Sequence, residues 1–347
     1  MMRVSILMGL YNYNEEYLRQ QLKSLNDQTY SNIELIICDD ASPENDFETT
    51  KRIIYECITR FPFRLKRNPF NIGYNANFEQ MIGMATGEFI SFCDNDDVWY
   101  KDKVKNMMDL IMCTPKCVLA YCRQNFTDSR LIPNEDINDA NPYALPEKFY
   151  EHGGIHRNKK MYWTRYYYFM FHHMLTGCCM MVKRSVAVKA VPFPENIVYY
   201  DQWMGIFAVT CGSVAYLDEP LIYYRRHDDT QTGTLKGIES KEDYYLKQLL
   251  PMRKFYVSLL NERPELAKKI PIREAVRWTD ARIKYWKHHS LTALLLMHHY
   301  SAFNRKYFLF EAIAGILPDS MFKNLRKLVI KNNYKGIVRK KTVLKRG

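Results

Sequence analysis

Apolar runs and amphipathic stretches alternate along the first 125 residues of the chain. The runs at 4–10, 33–38, 89–93 and 117–121 are apolar almost throughout, which is typical of strands buried on both faces of a parallel sheet. Residues 63–66 are a further strand candidate. Between the strands, apolar residues recur at helical spacing, and the predicted helices cover 15–25, 46–59, 75–85 and 102–112. This alternation predicts an α/β fold with a mostly parallel sheet flanked by helices.

The alternation stops between residues 126 and 175, where Asn, Asp, Pro and aromatic residues dominate. We expect a long excursion there, such as a loop or lid on the acceptor side. Strands are predicted again at 176–183, 213–217 and 221–224, with a helix at 201–211. From about residue 239 the pattern becomes helical, and the predicted C-terminal helices cover 244–260, 264–288 and 291–316.

Charge is distributed unevenly along the 347 residues, whose formal net charge is +12. Residues 1–230 contain 25 basic and 29 acidic residues, whereas residues 231–347 contain 25 basic and 9 acidic ones. A strongly basic region is attracted to an anionic surface, either lipid headgroups or nucleic acid. Because the first 230 residues are net acidic and contain no nucleic-acid-binding module, we expect no nucleic-acid partner.

Cysteine usage and hydropathy bear on the cellular compartment. The nine cysteines include no C-x-x-C pair, so they indicate neither a zinc ribbon nor a disulfide framework, and a reducing cytosol fits best. Residues 1–11 have no cleavage-site pattern and are interpreted as a strand. No apolar stretch approaches the roughly 20 residues that span a bilayer. We therefore expect a cytoplasmic protein whose membrane contact, if any, is peripheral.

An acidic cluster, Asp94-Asn95-Asp96-Asp97, directly follows the strand at 89–93. Such a density of like charge is unfavourable unless a cation or hydrogen-bond donors compensate it. A hard divalent cation shared with substrate phosphates is the natural partner, although a solvated acidic turn is about equally probable from the motif alone. Ligands of open α/β sheets bind beyond the carboxyl ends of strands, which favours the cation site.

Four further positions could contribute to chemistry, and each also has a structural interpretation. Asp40 ends a strand and could accept hydrogen bonds from a base or ribose, or cap a helix. Gly73 could let the backbone approach a ligand, or simply form a turn. Asp201 could be a general base, or the N-cap of a helix, where the helix dipole favours a carboxylate. Arg225 and His227 could neutralise a diphosphate and bind a metal, or form a basic loop against the acidic cluster.

Three segments together resemble the family-two glycosyltransferases of the GT-A fold. They are VSILMGLYNYNEEYLRQQLKSLNDQTYSNIELIICDDASPEND, NIGYNANFEQMIGMATGEFISFCDNDD and YYDQWMGIFAVTCGSVAYLDEPLIYYRRH. The last is most similar to bacterial rhamnosyltransferase-type members. The resemblance covers residues 3–230. It implies a GT-A domain over 1–230, with a nucleotide-sugar half at about 1–122 and an acceptor half at about 123–230, before a basic helical region over 231–347.

The resemblance implies an inverting enzyme that moves a sugar from a nucleoside diphosphate sugar, dTDP-rhamnose or a UDP-sugar, to a hydroxyl of a growing cell-surface polysaccharide or lipid-linked glycan. It also implies a divalent cation, Mg²⁺ or Mn²⁺. The basic C-terminal helices could then contact an anionic membrane through 278–286 and 321–330, or form a solvated bundle. The alternatives are a nucleotidyltransferase, which would want a glycine-rich loop after the first strand, and an inactive nucleotide-sugar-binding protein.

Site residues follow from the matched motifs. The resemblance implies that Asp201 is the catalytic base, that Asp96, Asp94 and His227 bind the metal, and that Trp99, Gln202 and Trp203 contact the acceptor. The donor-binding residues that it implies are Leu10, Tyr11, Asn12, Glu15, Asp40, Asn71, Gly73, Asn77, Asp94, Asn95 and Arg225.

Overall fold

The structure is a computed structural model that describes residues 1–140, 144, 152–156, 159–164, 167–171, 175–227, 235, 237–301 and 305–335. Parts of the predicted excursion at 126–175 and the end of the basic region, 336–347, lie outside the described residues. The chain divides into two compact units. The first consists of Met1–Tyr166, Met174–Phe193 and Tyr199–His227, and the second of Tyr167–His173, Pro194–Val198 and Asp228–Gly347.

The first unit is built on a ten-stranded sheet whose N-terminal half is parallel. Three of the four strands in this half are apolar and buried along almost their whole length, as expected where helices cover both faces of a sheet. The fourth, at the edge, alternates between half-buried and exposed residues. The four strands lie in the order β3-β2-β1-β4, with β1 at Val4–Leu10, β2 at Ile33–Asp39, β3 at Phe63–Arg67 and β4 at Phe89–Cys93.

The intervening helices begin and end within two residues of the predicted bounds. Short polar side chains set two of the starts, because such side chains accept hydrogen bonds from free N–H groups of the first turn. Asn14 accepts from Tyr17 N at 3.2 Å, and Asp46 accepts from Thr49 N at 2.8 Å. The helices are α1 Glu15–Asn26, α2 Phe47–Cys57, α3 Tyr74–Met84 and α4 Lys103–Cys113.

Beyond β4 the sheet becomes mixed, in the order β4-β9-β6-β10-β8-β7, with β5 paired to β10. The two strands predicted at 213–217 and 221–224 form one strand, β10, whose register shifts on both sides of Pro220. Proline cannot donate to a ladder, so a bulge forms where two strands were expected. The strands are β5 Val98–Trp99, β6 Cys117–Thr127, β7 His152–His156, β8 Lys159–Thr164, β9 Met180–Lys183 and β10 Ser213–Arg225.

Two predictions for this half need correction. The strand expected at 176–183 begins as a 3-10 turn, Gly177–Cys179, before β9. Part of the excursion expected at 126–175 is regular, because β7 and β8 pair as an antiparallel hairpin. The remaining helices of the first unit are α5 Glu135–Ala140, α6 Arg184–Ala190 and α7 Tyr200–Val209. The α/β prediction itself is confirmed.

The second unit is helical, and prolines lie at the starts of two of its helices, within the long helices that were predicted. Pro271 precedes α10, and Pro251 lies at the start of α9 just after a π-turn, because proline lacks the N–H that would continue an α-helix. The helices are α8 Lys241–Tyr244, α9 Leu250–Glu262, α10 Ile272–His288, α11 Leu291–His299, α12 Arg305–Ile316 and α13 Asp319–Lys335. Among the residues described, no helix is long and apolar enough to cross a bilayer.

Tryptophans of α10 belong to the core of this unit. Trp278 and Trp286 are 5% and 6% exposed, and Trp286 packs on Tyr244 at a ring-centroid distance of 4.8 Å. A buried ion pair lies nearby, in which Arg282 Nε donates to Glu311 Oε2 at 2.9 Å. Both indoles are therefore enclosed by protein, so the tryptophans of 278–286 do not offer a surface to a membrane.

A buried carboxylate joins strands β1, β2 and β4 at their amino ends. Glu34 accepts hydrogen bonds from Ser5 Oγ at 2.5 Å, Thr86 N at 2.7 Å and Gly87 N at 3.2 Å. Burial alone would raise the pKa of Glu34, but the hydrogen bonds from Ser5 and Thr86 outweigh it and lower that pKa. The ionised side chain is therefore the form that stabilises the fold.

We predict that Glu34→Gln lowers the free energy of unfolding at pH 7 by about 1–3 kcal/mol, because the buried donors lose a charged acceptor. A depressed pKa contributes stability above the unfolded pKa of about 4.3 and loses it as pH falls. Urea denaturation should therefore show the gap between wild type and variant narrowing below about pH 4. Glu48→Gln, at an exposed side chain, is the control, with a change within about 0.5 kcal/mol. A gap independent of pH would contradict this account.

Candidate active site

The carboxyl ends of β1, β2 and β4 bring three turns together. Asp40, directly after β2, is 3% exposed and uses both carboxylate oxygens. Its Oδ1 accepts from Asn68 Nδ2 at 2.8 Å and from Ile72 N at 3.0 Å, and its Oδ2 accepts from Gly73 N at 2.9 Å. Gly73 has a φ of +82°, a conformation that glycine adopts without strain. Asp40 therefore fixes the turn that leads into α3.

Asn77 lies under the same turn and supports it. This side chain is 2% exposed, its Nδ2 donates to Cys38 O at 3.1 Å, and its Oδ1 accepts from Gln80 Nε2 at 2.8 Å. A buried amide with satisfied hydrogen bonds holds backbone in place. Asn71, in contrast, is exposed at the outside of the turn, and its Oδ1 accepts from Gly73 N at 3.0 Å.

The end of β1 is tied to the loop after β2. The carbonyl of the buried Leu10 accepts from Asp40 N at 2.9 Å, and Asn12 N donates to Ser42 Oγ at 3.0 Å. Tyr11 between them is 46% exposed. Glu15, in the first turn of α1, pairs with Arg19 at 3.0 Å on an exposed surface. Of these predicted donor-binding residues, Tyr11 is the one that offers an accessible aromatic ring.

The acidic cluster forms the third turn, after β4. Asn95 Nδ2 donates to Gly9 O at 3.2 Å, and Asp96 Oδ2 lies 3.0 Å from His227 Nε2. Asp97 Oδ1 accepts from Arg225 N at 3.0 Å. Asp97 Oδ2 is buried and has no hydrogen-bond partner among the residues that the structure describes, an arrangement that costs free energy unless a cation or donor compensates it.

Electrostatics in this turn are dominated by burial and mutual repulsion. Burial, together with the neighbouring charge of Asp96, raises the pKa of Asp94 to about 7. The same two causes raise the pKa of Asp97 well above its usual range. The protein thus holds carboxylates where their ionised forms are unfavourable without a compensating positive charge.

The residues present fit a divalent cation. Ligand atoms of Asp94, Asp97 and Cys178 lie within 4.8 Å of one another. Asp96 and His227 form an adjacent acid–imidazole pair. Carboxylate oxygens are the ligands that Mg²⁺ prefers, and imidazole also binds Mn²⁺ and heavier divalent ions. The unpartnered oxygen of Asp97 supports the same conclusion.

Arg225 connects the acidic turn to α1. The guanidinium is 2% exposed and donates from Nε to Asp96 O at 2.6 Å and from Nη2 to Gln20 Oε1 at 2.5 Å. It also lies 4.0 Å from the centroid of the Tyr17 ring. The structure places Arg225 within the protein, holding the acidic turn, rather than on an open surface where a diphosphate would reach it directly. Sequence reasoning identified Arg225 but missed Gln20 and Tyr17, whose contacts are long-range.

Asp201 lies in the first turn of α7 and is 9% exposed. Its Oδ2 accepts from Gly177 N at 3.1 Å, and its Oδ1 accepts from Gln202 N at 2.7 Å. The helix N-cap is Tyr199, so the alternative that Asp201 caps the helix is wrong. Its charge contributes to the raised pKa of Asp94, which shows that the two carboxylates are electrostatically close.

The side chains expected to contact an acceptor are buried. Trp99, Gln202 and Trp203 are 3%, 6% and 0% exposed, and the Trp203 Nε1 donates to Ala190 O at 3.0 Å. The tryptophans therefore belong to the interior in this structure, and the expectation that they meet an acceptor directly needs this correction. Apolar rings in an α/β core are stabilised by burial whether or not a ligand is near.

Two residues that sequence reasoning missed complete the site. Lys103 is 1% exposed, its Nζ donates to Cys178 O at 2.7 Å, and its charge counteracts the rise in the pKa of Asp94. A lysine in the first turn of a helix is unfavourable next to the helix dipole. This unusual position is the sequence feature that could have identified Lys103. Gly177 was read as part of a strand, yet a Cβ there would lie 1.8 Å from the Tyr200 hydroxyl.

Comparison with known proteins agrees with this geometry. The family model described as Glycosyl transferase family 2 matches residues 5–189, more than half of the chain. The dTDP-rhamnosyl transferase RfbG of Shigella flexneri is 26% identical over 253 residues, which cover 67% of this chain and 76% of RfbG.

Two solved structures share the fold at 15% sequence identity. S. aureus TarS 1-349, in complex with UDP-GlcNAc, aligns with a TM-score of 0.54 over 94% of this chain and 91% of that chain. The mannosyltransferase PcManGT from Pyrobaculum calidifontis, in complex with GDP-Man and Mn²⁺, aligns with a TM-score of 0.54 over 96% and 87%. At this identity the likeness concerns the fold alone.

We predict that Gly177→Ala destabilises the first unit, because the new methyl group overlaps the Tyr200 hydroxyl and displaces the turn that holds Asp201. Tyr200→Phe removes that oxygen but leaves the ring Cζ 2.6 Å from the new Cβ. The double variant should therefore recover part of the loss, with a coupling of about 0.5–3 kcal/mol relative to the sum of the single changes. Urea denaturation of all four proteins measures the coupling. Gly83→Ala, in α3 with no atom within 4 Å of the new Cβ, is the control and should not destabilise. Simple additivity would contradict the overlap.

Proposed function

Because the chain belongs to glycosyl transferase family 2, and is thus a glycosyltransferase that uses a nucleotide sugar, we propose that it transfers the sugar in one displacement with inversion at the anomeric carbon. The resemblance seen in the sequence is confirmed by the family match. The GT-A fold is confirmed by the sheet and its structural neighbours. We also propose that residues 1–230 form the catalytic domain and residues 231–347 a helical appendage.

The turn at Gly177 and Cys178 carries the proposal, because it lies beside both the proposed base, Asp201, and the acidic cluster after β4. Gly177 N donates to Asp201 Oδ2 at 3.1 Å. The next residue, Cys178, has its thiol within 4.8 Å of ligand atoms of Asp94 and Asp97. A carboxylate able to accept a proton therefore lies beside a cluster able to hold a cation against phosphate. Transfer of a sugar from a diphosphate to a hydroxyl needs both groups.

The donor nucleotide would bind at the ends of β1 and β2. Tyr11 offers an accessible ring for a base, and the turn held by Asp40 offers backbone groups and the exposed Asn71. Asn12, Asn77 and Asn95 would shape this surface through hydrogen bonds to neighbouring backbone. Leu10 and Glu15 would also belong to the donor site, Leu10 at the end of β1 and Glu15 at the start of α1.

The residues that would hold a divalent cation, Mg²⁺ or Mn²⁺, are Asp94, Asp96 and His227. A bound dication offsets charge that develops on the leaving diphosphate. The complex of a structural neighbour with GDP-Man and Mn²⁺ supports this choice. Arg225 would act by holding the backbone carbonyl of Asp96 through its guanidinium and the carboxylate of Asp97 through its backbone N–H.

Asp201 would accept the proton of the acceptor hydroxyl. The acceptor oxygen forms a bond to the anomeric carbon while the bond from that carbon to the diphosphate oxygen breaks, and the proton moves to the carboxylate. Backbone N–H groups of Gly177 and Gln202 orient the Asp201 carboxylate. Positioning of this kind makes a large contribution to catalysis.

We propose dTDP-rhamnose as the donor, because the relative RfbG is described as a dTDP-rhamnosyl transferase. A UDP-sugar is the alternative, which the TarS complex with UDP-GlcNAc favours. The acceptor would be a hydroxyl of a growing cell-surface polysaccharide or lipid-linked glycan. We further propose a cytoplasmic enzyme that binds the inner face of the plasma membrane peripherally.

We predict that Asp201→Asn lowers kcat by about 10²–10⁴, the usual cost of losing a general base. Donor affinity should be unchanged, since the amide retains an acceptor for Gly177 N. Transfer from labelled donor to acceptor measures kcat, and calorimetric titration measures donor binding. Asp280→Asn, an exposed partner of Arg253 in α9, is the control and should keep full activity. Normal turnover by Asp201→Asn would contradict the role of the base.

We predict that nucleoside diphosphates raise the melting temperature and that Mn²⁺ or Mg²⁺ increases the shift, because a ligand that binds only the folded protein stabilises it. Among dTDP, UDP and GDP, each with and without its sugar, dTDP-rhamnose should give the largest shift. A larger shift with a UDP-sugar would replace the proposed donor. No shift with any nucleotide would contradict a sugar-nucleotide site.

A further inference from the structure

Helices α11 and α12 of the second unit each expose a row of aliphatic side chains. Leu291 and Leu295 on α11 are 69% and 63% exposed, at i and i+4 spacing. On α12, Leu309, Ile313 and Ile316 are 49%, 51% and 63% exposed, at i, i+4 and i+7 spacing. We call these five side chains the aliphatic face. Residues at such spacing share one side of a helix.

The opposite sides of both helices are already buried. On α11, Ala293 and Met297 pack with Ala281 and Tyr285 of α10, and on α12, Ala314 is 0% exposed. The helices are therefore held in the fold without the aliphatic face. Soluble proteins seldom expose clustered aliphatic side chains unless the surface binds something.

Basic residues outnumber acidic ones in α10 and α13, the helices that come before and after the aliphatic face in sequence. Lys284 and Lys287 are exposed just before α11, and Lys323 and Lys327 are exposed on α13. The one acidic residue between 291 and 316, Glu311, is 2% exposed and paired with Arg282. Residues 291–316 thus expose aliphatic side chains and no carboxylate, and lysines are exposed on the helices before and after them.

We infer that the aliphatic face docks on an anionic lipid bilayer, with the aliphatic side chains at the acyl boundary and the lysines at headgroup phosphates. This combination is the one that binds helices in the plane of an interface. A second copy of the chain is a poorer partner, because two basic surfaces repel each other. The inference rests on the proposed function only for the lipid-linked acceptor, and it names the docking surface that the proposed peripheral location requires.

The surface differs from the one that composition indicated. Trp278 and Trp286, in one of the two segments expected to contact a membrane, are buried, whereas the aliphatic face lies on the two helices that follow α10. Insertion therefore uses the branched aliphatic side chains of α11 and α12. Such binding depends on anionic lipid, since the lysines supply long-range attraction that salt screens.

The test is flotation of the full chain with vesicles of phosphatidylcholine alone or with phosphatidylglycerol added. The wild type should float with the anionic vesicles and be released by high salt. A variant with Leu291→Gln, Leu295→Gln, Ile313→Gln and Ile316→Gln should bind at least about tenfold more weakly. The matched control carries Met112→Gln and Val188→Gln, two exposed apolar side chains of the first unit, and should bind like wild type.

A second measurement needs no substitution. Hydrogen exchange of the wild-type protein should slow in residues 291–299 and 305–316 when anionic vesicles are added. Absence of flotation, or equal flotation of wild type and the fourfold variant, would overturn the inference. So would a wild-type dimer in solution that the fourfold variant abolishes. None of these measurements uses sugar transfer. The membrane inference can therefore fail while the proposed function stands, and the proposed function can fail while the membrane inference stands.

Discussion

Repulsion among three carboxylates at the end of β4 is the constraint that organises the active-site end of the first unit. Asp94, Asp96 and Asp97 are crowded, with Asp97 buried and the other two half-buried, so the protein must offset their charge from several directions. Arg225 of β10 donates to the turn, and Lys103 of α4 donates to the neighbouring carbonyl of Cys178. Arg225 and Cys178 are both distant from the cluster in sequence, which makes the site a product of tertiary folding.

The same contacts link the site to its neighbours. In the turn at 177–179, the carbonyl of Cys178 accepts a hydrogen bond from Lys103 Nζ, and the N–H of Gly177 donates one to Asp201. Tyr200 packs on Phe78 at 4.5 Å and requires glycine at position 177. Movement of this one turn would therefore disturb both carboxylate groups together. That coupling explains why a residue with no side chain can matter to the chemistry.

Sequence alone predicted the parallel half of the sheet well, because apolar runs buried on both faces leave a strong pattern. It also located Asp94, Asp96 and Asp201, whose motifs lie at element ends. It failed where pairing across the fold decides the outcome. Examples are the bulge at Pro220, the buried Trp278 and Trp286, and the internal hydrogen bonds of Arg225. Burial of a tryptophan or an arginine depends on partners that no local pattern reveals.

The central claim is that the acidic turn grips a diphosphate through a shared divalent cation. The most direct test is calorimetric titration of dTDP or UDP into wild type and Asp96→Asn, with and without Mn²⁺. We expect Mn²⁺ to tighten nucleotide binding to the wild type by about tenfold or more, which corresponds to about 1.4 kcal/mol. Asp96→Asn should lose that enhancement and keep metal-free binding. The same enhancement in wild type and Asp96→Asn would contradict the account.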